Sequence, residues 1–306
     1  MNQIAVLLRR EFWEHRAIAI VPLVFGVLFV AAVLLSVVGL VRFSVDIGEM
    51  TITEMAGQVR PDDWKPGMQV AFVSLAGIFQ AVMIIVVLFY LADALYAERR
   101  DRSILFWKSL PVRDSTIVAS KFLTAAVVAP AFALAVFVAT VLLIWLVAGI
   151  TVLVLGESAA LTAGPAALLA ASAVMAWSLI AQSLWYAPVY AWVLLASAFA
   201  RRAALLWVLL PPVGLIIAER TLLGSGHFAR LIAERLSGAW ELAFAMGGRR
   251  GLLMDEGAAH LQGLPVLGEL VTPGRFFGSP GLWAGLLVAL AFLAAATALR
   301  RWRDEG

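Results

Sequence analysis

The sequence predicts an all-α protein that crosses a membrane six times, and three observations carry that prediction. Of its 306 residues 63% are hydrophobic and 14% charged, against roughly half and about a quarter in a soluble domain. Long intervals lack any charged side chain, at 17–41, 66–92, 122–156, 158–200, 203–218 and 276–299. The charges that remain are unevenly shared, with Arg and Lys crowding alternate loops. A mean hydropathy of +0.95 is the reverse of a disordered composition. There is no cysteine, which excludes disulfides, thiolate zinc sites and a cysteine nucleophile. His15, His227 and His260 lie too far apart in sequence to suggest a metal cluster, so no metal site is expected. Nothing points to a nucleic-acid partner.

The whole chain reads as one membrane domain. Residues 1–16 suggest a helix lying in the membrane interface. Ala5, Leu8 and Phe12 form one stripe, Arg10, Glu11 and Glu14 lie across from it, and Trp13 follows. A merely solvated, positively flanked start is the other reading. The first span, 17–41, exceeds the roughly 7–15 apolar residues of a signal peptide, so it reads as retained. Spans two and three are placed at 68–95 and 117–150.

The interval 158–200 can hold one long helix or two short ones. Pro165 suits a first turn and Pro188 a kink. One kinked span over 165–200 keeps Arg201 and Arg202 on the side of the other arginines. The fifth span, 203–223, must run past Glu219 and Arg220 to reach membrane length. The sixth is placed at 281–300. Between them, 224–280 is long for a loop. Phe228, Leu231, Ile232 and Leu236 recur at helical spacing, which predicts surface-lying or shallow re-entrant helices, and the Gly and Pro density beyond them argues against another span.

Basic residues near span ends stay in the cytoplasm. Arg9, Arg10, Arg16, Arg99, Arg100, Arg102, Arg201 and Arg202 then put both termini inside, with Asp46, Glu49, Glu54, Asp62 and Asp63 outside.

The inner loop after span two is the most informative segment. Ile104, Trp107 and Leu110 recur at helical spacing beside Phe106, with Asp101, Arg102 and Lys108 opposite. Pro111 ends that helix by disfavouring helical geometry at Leu110. Glu98 can pair with Arg102 four residues on, and Asp114 or Ser115 can cap the third span. Aromatic and cationic groups exposed together suit a docking surface. They equally suit a basic loop resting on lipid headgroups.

Two polar stripes lie within spans. Gln69 and Gln80 share a face of span two, and Gln182, Tyr186 and Tyr190 recur on span four. Polar groups in lipid face a partner or a cavity. A polar-lined path and ordinary hydrogen bonding between helices are both open readings.

Residues 98–121 resemble the permease subunits of type-2 ATP-binding-cassette exporters. The likeness rests on Glu98-Arg99 ending span two, on Ser109-Leu110-Pro111-Val112 closing the amphipathic helix, and on Ser120-Lys121 opening span three. Leu8-Arg9-Arg10-Glu11-Phe12-Trp13-Glu14 is similar to that family's interfacial connecting helix, and the six-span plan extends the likeness over nearly the whole chain. Ser103 departs from the pattern, since many members carry glycine there.

The resemblance implies a bacterial-type inner-membrane exporter subunit without enzymatic activity. ATP and Mg would be bound by a separate cytoplasmic ATPase. A second copy of this permease, or a related one, would complete the path. It implies coupling roles for Glu98, Arg99, Arg102, Ile104, Phe106, Trp107, Lys108, Leu110 and Pro111. Leu8, Phe12 and Trp13 would belong to the interfacial helix. It also places spans two and five along the path, which favours Gln80 over Tyr186. Consistent with a separate ATPase, G-x-x-x-x-G-K-[ST] is absent and no Gly-rich loop precedes Lys65, Lys108 or Lys121.

Three rivals remain. An intramembrane hydrolase built on Ser225 and His227 lacks the G-x-S-x-G elbow. A secondary transporter would carry midplane ionisable residues and repeats, and neither is found. A non-transporting scaffold or signal transducer could use the same loop. The mostly apolar spans lean toward amphiphilic cargo or peptides over sugars or ions.

Overall fold

A computed structural model describes residues 3–46, 61–101, 103, 112–154, 165–244 and 271–302. These residues form α1 (Gln3–Glu14), α2 (Ala17–Asp46), α3 (Pro61–Ala94), α4 (Tyr96–Arg100), α5 (Asp114–Leu123), a π-helical turn (Thr124–Val128) and α6 (Ala129–Val154). They continue as α7 (Pro165–Trp185), α8 (Ala187–Phe199), α9 (Ala204–Leu222), α10 (His227–Ala243), α11 (Pro273–Phe277) and α12 (Pro280–Trp302). Among the described residues the only β pairing is an isolated antiparallel bridge, Phe244 to Val271. Among the described residues six helices are long and apolar enough to cross a membrane. The chain is an all-α polytopic membrane protein.

Prolines set the irregularities. Pro130 has no N–H to return to Ala126, and the π turn just before it absorbs the missing bond. Pro188 likewise cannot donate to Leu184, and the fourth long segment breaks at Tyr186 into α7 and α8. Hydrogen bonds from Tyr186 N to Gln182 O and from Tyr190 N to Tyr186 O carry the backbone through the bend. The expected single kinked element is thus two helices sharing one hinge. Ala203 adopts a left-handed conformation, φ 48°, and reverses the chain between α8 and α9.

The bundle is built around α3 and α8. Phe79, Met83 and Leu91 of α3 and Tyr190 and Leu194 of α8 are fully buried. Helix α12 packs chiefly on α8, and α2 packs on α6. Gly26 makes that second contact close, because a Cβ there would sit 2.6 Å from Thr140 Oγ1. Helix α9 buries only Ala204.

Two predicted faces are in a different register. In α1 the buried residues are Leu7 and Glu11, not the Ala5–Leu8–Phe12 stripe. Leu8 and Phe12 are half-buried, and Trp13 is exposed. In α10 the buried positions are Ala239 and Ala243, while Leu231 and Leu236 point outward. Both shifts follow polar anchors: Glu11 is drawn inward by a cation, and α10 is held through Arg235.

Candidate functional site

The described parts of the N-terminal helix α1, the ends of the 98–114 loop and the close of α12 lie together at one end of the bundle. There five ionisable side chains alternate in sign. Lys121 Nζ donates to Glu11 Oε1 at 2.9 Å and lies 3.0 Å from Glu98 Oε1. Arg300 Nη1 donates to the other oxygen of Glu98, and Arg300 Nε donates to Asp114 Oδ1 at 3.0 Å. The Tyr90 hydroxyl completes the shell of Glu11, donating to Oε2 at 2.9 Å.

Lys121, Glu11, Arg300 and Glu98 are only 2%, 3%, 5% and 8% exposed. Isolated charges so far from water would cost many kcal/mol, and alternation lets each charge offset its neighbour. Three carboxylates face two cations in this chain. Asp114, the least buried, stands in the first turn of α5, where the helix start favours a negative charge.

The local structure places each member. Glu98 sits in α4, the short helix that follows the break after Ala94. Ser197 holds that break by accepting, on its hydroxyl, the backbone N–H groups of Leu95 and Tyr96 at 3.1 and 3.0 Å. Lys121 lies on the turn of α5 just before the π segment, where Thr124 Oγ1 donates back to Ser120 O.

Several expectations change against this geometry. Glu98 meets Lys121 and Arg300, cations from distant elements; its expected local partner, Arg102, lies outside the described residues. Arg99 turns to the end of α8, donating to Ser197 O at 2.6 Å and Ala200 O at 2.7 Å. Its guanidinium caps that helix. The residue preceding α5 is Arg113, with no side-chain cap, and Asp114 directs its carboxylate to Arg300. Arg102, Ile104, Phe106, Trp107, Lys108, Leu110 and Pro111 lie outside the described residues.

Three of the polar residues named for a path join helices through one hydrogen bond each, and the side-chain oxygens of Gln80 and Gln182 accept none. Gln80 Nε2 donates to Ser178 O at 3.2 Å, joining α3 to α7. Gln182 Nε2 donates to the Tyr190 hydroxyl at 3.1 Å, across the hinge. Tyr186 donates to Leu236 O at 2.6 Å. These three side chains are buried; the Gln69 side chain lies outside the described set.

The opposite end holds a structural clamp. Arg235 stacks over Trp185, 4.4 Å from the ring centroid, and donates to Gly281 O. Trp185 Nε1 donates to Arg235 O at 2.8 Å. Partial burial lowers the pKa of that guanidinium from its ordinary value. Nearby, Glu219 accepts from Ser225 Oγ and from the backbone N–H groups of His227 and Phe228, at 2.7 to 2.8 Å. Ser225 and His227 therefore share a helix-capping carboxylate, and the serine hydroxyl donates to Glu219 and not to the imidazole. No group of three metal-ligating residues occurs among the described residues.

Local pattern reading missed Glu11, Lys121 and Arg300. The available signal was the placement of full charges against long apolar runs, Lys121 at the head of one and Arg300 at the foot of another. Such charges call for partners. Residues 68–199 match the model of a family described as ABC-2 family transporter protein. That stretch contains Glu98, Asp114 and Lys121, while Glu11 and Arg300 reach the ionic chain from outside it. No curated protein and no solved structure matches the chain.

Proposed function

We propose that this membrane subunit of an ABC transporter, which carries the ABC-2 family domain over residues 68–199, exports its cargo using ATP hydrolysed on a separate cytoplasmic subunit. Two permease copies and two ATPases form the working unit. Both termini and the 98–114 loop face the cytoplasm, and the loop seats in the ATPase through Phe106 and Trp107. This chain itself performs no catalysis; ATP and Mg bind the partner.

The supporting observation is that the loop leaves from Glu98 and returns at Asp114, and both carboxylates belong to one buried ionic chain. A force on the loop is thereby passed to α1 through Lys121 and to α12 through Arg300. Pulling one member away strands a buried charge, at a cost of about 3–5 kcal/mol, so the attached elements move as one. ATP shifts the assembly only through its preference for the closed ATPase pair. The loop imposes that preference on the helices.

Affinity purification of the tagged chain from its native membrane tests the reading. The wild type brings down a nucleotide-hydrolysing companion, and Trp107→Ala inserts at the same level but loses it or uncouples its hydrolysis from transport. A wild-type preparation with no such companion overturns the proposal.

A further inference from the structure

A cavity of about 710 Å³ lies between the start of α2 and the last third of α3. Its two apolar walls follow helical spacing: Ile18, Val21 and Phe25 on α2 face Val82, Val86 and Phe89 on α3. Polar groups gather at one end only. His15 and Arg16, at the junction of α1 and α2, stand there beside Tyr90, whose ring meets the His15 ring edge-on at 4.6 Å. The cavity is therefore polar toward the end of the bundle that carries α1 and oily toward the bilayer centre. That is the polarity profile of one membrane amphiphile.

The charge at the mouth selects the headgroup. Glu14 lines it, but its carboxylate is held by Arg10. Glu11, behind His15, is held by Lys121, which it shares with Glu98, and by the Tyr90 hydroxyl. Arg16 is exposed and forms no ion pair among the described residues, and the His15 ring stands beside it with Nδ1 buried toward Glu11, 3.9 Å away.

We infer that this groove seats one phospholipid with an anionic headgroup, drawn from the leaflet on which α1 lies. The phosphate sits against Arg16 and His15, and one acyl chain fills the space between α2 and α3. The lipid is resident, wedged between the interfacial helix and the central helix of the bundle. The inference does not depend on what the protein transports or which ATPase drives it.

Native mass spectrometry of the full chain, purified in its own assembly and offered phosphatidylglycerol or phosphatidylcholine, tests it. The wild type retains one phosphatidylglycerol per chain in preference to phosphatidylcholine. Arg16→Gln, a change at an exposed position that leaves the fold intact, lowers that retention about fivefold, the effect of one basic residue at a membrane surface. Val86→Trp fills the groove and abolishes retention of both lipids. Equal retention of the two lipids by the wild type, or retention unmoved by Arg16→Gln, overturns the anionic headgroup. Retention that survives Val86→Trp overturns the groove as its seat.

Discussion

The ammonium of Lys121 donates to Glu11 at 2.9 Å across 110 residues of sequence, joining the N-terminal helix to the head of the third long segment. With Glu98 on its other side, Lys121 ties α1 to α4. Replacing it by methionine keeps most of the stem volume and strands the buried carboxylate of Glu11. Lys121→Met is expected to cost about 3–5 kcal/mol, read as a lower melting temperature in detergent. Adding Glu11→Leu to that variant recovers much of the loss, because the stranded charge is gone. Equal and additive losses in the two single variants and their double would show that the pair is not coupled.

Arg300 reaches two carboxylates with different nitrogens, Nη1 on Glu98 and Nε on Asp114. A lysine offers one point charge in place of that fork. Arg300→Lys therefore keeps its hold on Glu98 and surrenders Asp114, with an expected loss of about 1.5–3 kcal/mol, the worth of a charged hydrogen bond. Hydrogen exchange should rise over residues 112–117, at the start of α5, more than anywhere in α8. Unchanged protection there would remove Arg300 from the role given to it.

At the opposite end, Gly285 exists to admit Arg235. A Cβ at that position would sit 1.1 Å from Arg235 Nη2, so Gly285→Ala must expel the guanidinium from the Trp185 face. Breaking the cation–π interaction costs about 0.5–2 kcal/mol. Faster proteolysis within α10 and a shift in tryptophan emission are the expected signatures. Arg235→Met should reproduce the destabilisation, and combining it with Gly285→Ala should add little.

Glu219 supplies α10 with the start that its own sequence lacks, since Gly226 carries no capping side chain. Both carboxylate oxygens are used on the first turn, one on His227 N and one on Phe228 N. Glu219→Ala should fray that turn at a cost of about 0.5–2 kcal/mol, seen as faster exchange at residues 227–230. Ser225→Ala should change much less, because the hydrogen bonds to the backbone survive.

The long apolar elements were legible because membrane length and the absence of charge are properties of a contiguous run. The bend at Pro188 and the helix over α10 were legible from local sequence as well, though not the face that α10 buries. The ionic chain was not. Its members come from positions 11, 98, 114, 121 and 300, and periodicity within one helix carries nothing about which distant charge will neutralise which. Glu11 shows the mechanism of the error: a hydrophobic stripe assigns a carboxylate to the solvent face, yet Lys121 and Tyr90 make the buried face the favourable one. Arg99 likewise has partners that its local sequence does not show. A cation beside a docking loop reads as a contact for a partner, and the structure shows in addition that it donates to the open carbonyls at the end of α8.

The order in which a ribosome delivers these helices matters for the ionic chain. Glu98 and Asp114 emerge well before the guanidinium that bridges them, which arrives only with the last long helix, α12. Until then the nascent protein carries carboxylates at the lipid boundary with half their counter-ions missing. A chain arrested after α10 would keep that fault exposed, and membrane quality-control proteases would have a ready mark of an unfinished molecule.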